Sequence, residues 1–167
     1  MIRAIWKDHD KPERWEALAD IEDRLSDRIF FQTFVSVWEN SESNDAHLSL
    51  IDRLIAARGV TADRVMPALG KRDRDFLDNL PDPIRVFRGT TMENPYGDYS
   101  WSTDRTKAEW FARRCYEATP ALATGMVRKA DILFAYAGRG ESEIAAKPDV
   151  VSRKRLRAIG RWQRNAE

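Results

Sequence analysis

Three short stretches of this 167-residue chain bring together side chains that can do chemistry: Phe87-Arg88-Gly89-Thr90, Ser100-Trp101-Ser102-Thr103 and Glu141-Ser142-Glu143. Glu141 and Glu143 stand two apart, just after the turn sequence Gly138-Arg139-Gly140. On an extended strand, residues i and i+2 share a face. The two carboxylates would then point the same way and repel, unless something positive binds there or positive charge grows there during a reaction. Arg88 is a permanently charged planar fork, suited to phosphate oxygens. Ser100 and Ser102 carry hydroxyls that both donate and accept, and so can fix a carboxylate. Each stretch alone is common on protein surfaces. Their order, and the elements they fall on, give them weight.

Other chemistries find less support. Histidine occurs only at positions 9 and 47, and there is one cysteine, Cys115, so no zinc-ligand spacing is present and no metal is expected. Neither a phosphate-binding Gly-x-x-x-x-Gly-Lys loop nor a Gly-x-Gly-x-x-Gly turn occurs, so a nucleotide would have to be held without them. Hydrophobic residues make up 43% and charged residues 33%, enough apolar material for a core. A net charge of +1 gives no global field that selects nucleic acid or membrane. The opening segment, MIRAIWKDHDKPERW, is charged throughout and lacks the apolar stretch of a secretory signal. No apolar run approaches the ~20 residues of a membrane span. The expectation is a cytoplasmic protein with no membrane partner.

The elements that must position these residues differ between the two halves. Trp15, Leu18, Ile21, Leu25 and Ile29 recur at helical steps, followed by Phe30, Phe34 and Trp38. Asn44 or Asp45 is expected to cap a helix carrying Leu48, Ile51, Leu54 and Ile55 that stops near Gly59, and Thr61 to cap a shorter one. A last short helix carries Phe76, Leu77 and Leu80 and ends at Pro81. Beyond Pro81 the texture turns to strands. PIRVFRGT alternates, GDYSWSTD gives a second strand, and TKAEWFARRCYEA returns to helical spacing with Ala108, Phe111, Ala112 and Cys115 on one face. TPALATG reads as a loop, MVRKADILFAYA as one long strand or two, and ESEIAA as a final strand. The expected fold is α+β. One domain is expected over 1–167, with a helical layer (1–80), a β-rich core (81–151) and a basic C-terminal segment (152–167).

With Arg88 at a strand end, Ser100-Trp101-Ser102 leading into a helix, and Glu141/Glu143 after a tight turn, the chain resembles the mono-ADP-ribosyltransferases of the Arg-Ser-Glu, cholera-toxin-like class. It looks especially like their small phage and bacterial members. The resemblance covers residues 84–147 and leaves 1–80 aside. It implies a helical layer on an ADP-ribosyltransferase-like split sheet. It also implies NAD as substrate and transfer of ADP-ribose to an arginine of a target protein. By resemblance Glu143 is the catalytic carboxylate at the nicotinamide ribose, and Ser100 positions it. Glu141 faces the acceptor guanidinium. Arg88, Gly89, Thr90, Ser102 and Phe111 form the NAD-binding set, with Arg88 on the phosphates, Gly89 close to the nicotinamide amide and Phe111 stacked on the ring. Core packing is at least as good a reading for Phe111, which lies on the apolar stripe of its helix. The central Trp101 departs from the family's Ser-Thr-Ser. The chemistry suits these types, because cleaving the nicotinamide–ribose bond builds oxocarbenium-like charge that a carboxylate stabilises.

Two further functions fit the same residues: an NAD glycohydrolase with water as acceptor, or an inactive NAD- or protein-binding module. The tail SRKRLRAIGRWQRNAE is basic, with Trp162 embedded. Most such runs are solvated helix or edge-strand faces. A functional tail would direct the enzyme to an acidic target or to one within a nucleic-acid-bound complex.

Overall fold

The computed structural model describes residues 13–41, 44–114, 118–140 and 142–161. The chain divides into two compact units, Met1–Lys71 and Arg72–Glu167.

The first unit is helical among its described residues: α1 (Arg14–Ala19), α2 (Asp27–Asn40), α3 (Leu48–Arg58) and α4 (Ala62–Val65). The apolar stripe makes its core. Trp15, Leu18, Phe30, Phe34, Trp38, Ile51 and Leu54 are all buried, and the Trp15 ring meets Phe34 and Trp38 edge-on at 5.1 and 6.2 Å. The stripe is not one helix, however. A short 3-10 turn at Glu22–Arg24 and an extended Leu25 interrupt it, and Ile21 and Leu25 are left half-buried. Ser26 is extended and its carbonyl accepts the Phe30 amide at 2.8 Å. Ser26 thus stands at the N-cap position of α2, although its side chain makes no capping hydrogen bond.

The capping role expected of Asn44 or Asp45 is corrected. Both lie in a 3-10 turn, Asn44–His47, and His47 precedes α3. The Asn44 side chain instead accepts from Trp15 Nε1 at 3.0 Å and donates to the Trp38 carbonyl at 3.2 Å. Gly59 ends α3 in the left-handed region (φ 57°). Thr61 stands at the cap position of α4, extended, without a side-chain hydrogen bond to the helix.

The second unit holds most of α5 (Lys71–Asn79), then β1 (Ile84–Thr91), β2 (Ser100–Ser102), α6 (Arg105–Arg113), β3 (Pro120–Val127), β4 (Phe134–Tyr136), β5 (Glu143–Ala145) and β6 (Ser152–Ala158). The strands form one six-stranded sheet in the order β4-β5-β2-β1-β3-β6, with antiparallel neighbours throughout. The α+β class follows. Two readings are corrected. TPALATG is not a loop but most of β3, paired with β1 along its whole length. MVRKADILFAYA contributes only the end of β3, a turn at Lys129–Asp131, and β4. Small residues hid β3: Ala121, Ala123 and Gly125 are buried where bulkier side chains are usual. The basic stretch from Ser152 to Ala158 is β6, an exposed edge strand paired with β3, in keeping with the solvated-face reading.

One observation fixes the two faces of this sheet. A Cβ on Gly89 would lie 2.6 Å from the Ala112 amide nitrogen and closer still to the Ala108 carbonyl oxygen. Gly89 therefore faces α6, and its missing side chain lets the helix settle on β1. By alternation Phe87 shares that face, while Arg88 shares the other with buried Val86 and Thr90. Among the described residues no helix is long and apolar enough to cross a membrane.

Candidate functional site

The register carries the α6 face of β1 across the sheet. Phe87 stands opposite Ser102, Ser102 opposite Glu143, and Glu143 opposite Tyr136. Ser100, two before Ser102, lies on the same face. Its hydroxyl donates to Glu143 Oε1 at 2.6 Å. Glu143 is only 7% exposed, so this short bond holds a carboxylate that burial would otherwise penalise.

Each residue around the pair has a traceable task. The Ser102 hydroxyl accepts the Asp104 amide at 3.0 Å. Asp104 caps α6, its Oδ1 accepting from the Thr106 and Lys107 amides at 2.8 and 3.2 Å. The Thr103 amide donates to the Ser142 carbonyl at 3.0 Å. Ser142 is left-handed (φ 49°), and the strand begins one residue later, at Glu143. The extended pairing of two same-face glutamates therefore does not extend back through Ser142. Glu141 lies outside the described residues.

Arg88 joins the group from the other face. Its Nη1 donates to the Ser100 carbonyl at 2.7 Å and to Asp98 Oδ2 at 3.2 Å. The side chain is 15% exposed, and its Nε is buried without a hydrogen-bond partner. Arg88 thus braces the backbone of the residue that holds Glu143. Asp98, which the sequence did not single out, also accepts the Ser100 amide at 3.2 Å. Only its place in a Gly-Asp turn hinted at such a role. Asp104 could have been found, because an aspartate directly before a helical repeat is a cap signal.

Thr90 is buried and its hydroxyl donates to the Asn94 carbonyl at 2.7 Å, fastening the loop between β1 and β2. The same loop is tied by Glu93, whose carboxylate sits below the usual range through its own amide and then the side chain and amide of Thr119. Gly89 is spent on α6 packing. Phe111 is not a core residue: it is 39% exposed and meets Trp110 edge-on at 5.0 Å. Glu109 and Arg113 point along α6 toward β6. Phe111 lies on the opposite flank of the helical wheel, on the side of β1 that β2 occupies. Cys115 lies outside the described residues. Among the described residues no group of three or more His, Cys, Asp or Glu is placed to hold a metal ion.

The sheet thus brings Ser100, Ser102 and Glu143 together on the α6 face, with Phe111 on the flank above and Arg88 as a brace below. The arrangement suits stabilising positive charge at a buried, oriented carboxylate. Compared with protein-family profiles, curated proteins and solved structures, the chain matches none of them.

Proposed function

We propose that this protein transfers ADP-ribose from NAD to an arginine side chain of a target protein, releasing nicotinamide. The observation that carries the reading is the Ser100–Glu143 hydrogen bond of 2.6 Å at a carboxylate 7% exposed. A fixed, poorly solvated carboxylate acts more strongly on growing positive charge than a hydrated one, and needs no reorganisation as the bond breaks.

The residues fit the reacting end of NAD. Glu143 would accept a ribose hydroxyl and face the positive charge developing at the ribose. Ser100 holds that carboxylate, and Phe111 offers an exposed ring for the nicotinamide. Arg88 supports the reading as a positioning residue, its Nη1 engaged by Asp98 and by the carbonyl of Ser100. Glu141 would accept the proton of the incoming guanidinium as the new bond forms.

The test incubates the protein with labelled NAD and a cell lysate, following label on protein and free nicotinamide together, with Glu143→Gln alongside. Arginine-linked bands that vanish in the variant are expected. Free nicotinamide without labelled protein would point to hydrolysis. Neither product, or equal products from the variant, would overturn the assignment.

A further inference from the structure

One surface of the second unit is not used by the reaction proposed above. β6 lies at one edge of the sheet and carries Arg153, Lys154, Arg155 and Arg157 with no acidic residue. Every residue of β6 except Leu156 is exposed. Charges on an edge strand guard against edge-to-edge pairing, but here they continue onto α6. Residues 105–114 and 152–161 together hold nine Lys or Arg and one acid, Glu109, a net +8 against +1 for the whole chain. That single carboxylate is already enclosed by Arg105 at 2.9 Å, Arg113 at 3.2 Å and Arg157 at 4.0 Å. The contact with Arg157, and a bond from Arg113 Nε to the Gly160 carbonyl at 3.1 Å, join α6 and β6 into one continuous surface. Among the described residues the Arg155 side chain makes no ion pair or hydrogen bond. Register places it on the α6 face with Arg157, in a cross-strand row with Thr124 and Phe87.

The same surface exposes an aromatic. Trp110 is 42% exposed on the outer side of α6, with the Arg114 guanidinium 4.7 Å from its ring centroid. An acidic protein segment would use the cations and leave this ring in water. A nucleic-acid duplex presents phosphates but keeps its base faces stacked inside. A single strand uses both features, since phosphates pair with guanidinium groups and bases stack on aromatic rings. We propose that β6 and the outer side of α6 bind single-stranded nucleic acid, with phosphates along Arg155 and Arg157 and a base stacked on Trp110. β6 is separated from β5, which carries Glu143, by β3, β1 and β2, and the binding test is run without NAD, so its outcome does not depend on the transferase.

The test follows the fluorescence anisotropy of a labelled oligothymidylate with the full chain over a salt series, using poly-glutamate and a DNA duplex as competitors. Saturable binding that weakens with salt is expected. Trp110→Ala, whose ring is exposed, should weaken it about tenfold and leave the salt slope unchanged. The Arg155→Ala/Arg157→Ala pair should weaken it and lower the slope by roughly 1.4, about 0.7 per lost phosphate contact. Circular dichroism confirms that both variants fold. The proposal is overturned if no binding occurs at low salt, or if Trp110→Ala binds as the parent does. It also fails if poly-glutamate or duplex competes as well as unlabelled single strand.

Discussion

Ser100 donates to Glu143 diagonally across the β2–β5 ladder: the residue directly opposite Ser100 is Ala145, and the one opposite Glu143 is Ser102. Ser100 therefore holds the carboxylate, while Ser102 stands opposite the Glu143 backbone in the ladder. Ser100→Ala removes the hydroxyl and leaves the ladder whole. Nicotinamide release should fall roughly tenfold or more, the kinetic equivalent of about 1–3 kcal/mol for a lost bond to a buried charged group. Parent rates in this variant would show that Glu143 needs no positioning.

Arg88 can be tested as a brace or as a phosphate clamp by one substitution. Arg88→Lys keeps the charge but cannot reproduce the guanidinium geometry at both Asp98 and the Ser100 carbonyl. A brace predicts a kcat roughly tenfold lower, with the KM for NAD little changed. A raised KM at constant kcat would restore the clamp.

Glu141→Gln separates transfer from bond cleavage. Label on protein should disappear while nicotinamide release persists, because water can replace the acceptor. Equal loss of both would place Glu141 in the ribose chemistry or in the fold.

A methyl group at position 89 has nowhere to go. Gly89→Ala drives a Cβ into the backbone of α6 at Ala108 and Ala112, and backbone yields less readily than a side chain. A loss of about 2 kcal/mol in urea unfolding is expected. Unchanged stability would mean that α6 shifts freely on β1.

In the first unit, Asp27 is held below the ordinary carboxylate range by hydrogen bonds from Arg58 (2.8 Å) and Arg64 (2.7 Å). A depressed folded value means that the contribution is fully present above the unfolded-chain value of about 3.9 and is lost as pH falls from there through the folded value. Asp27→Asn should lower the melting temperature at neutral pH and flatten its decline as pH falls below about 4. Parallel melting profiles would remove Asp27 from the acid response.

Ser100 and Glu143 could be paired only through the resemblance to the Arg-Ser-Glu transferases, since the neighbourhood of β2 and β5 joins residues 43 positions apart and shows in no local pattern. The helical core was legible because Trp15, Phe34 and Ile51 obey helical spacing. β3 was missed because its alanines and Gly125 carry no strand signature. Its burial comes from pairing with β1 and β6, a long-range property that no local window contains. The break at Ser26 was missed because apolar periodicity runs straight across it. Asp98 was missed because it lies in the loop before β2, and its partner, Arg88, is ten residues away on β1.

The second unit begins inside α5, and that has a practical consequence for anyone cutting the chain. Asp73 accepts the Ala137 amide at 3.0 Å, just beyond β4, and the Asp78 carbonyl receives Lys129 Nζ at 3.0 Å. A fragment starting at Pro81, where the sequence texture changes, would leave out both anchors. An expression boundary that respects the sheet lies upstream of α5.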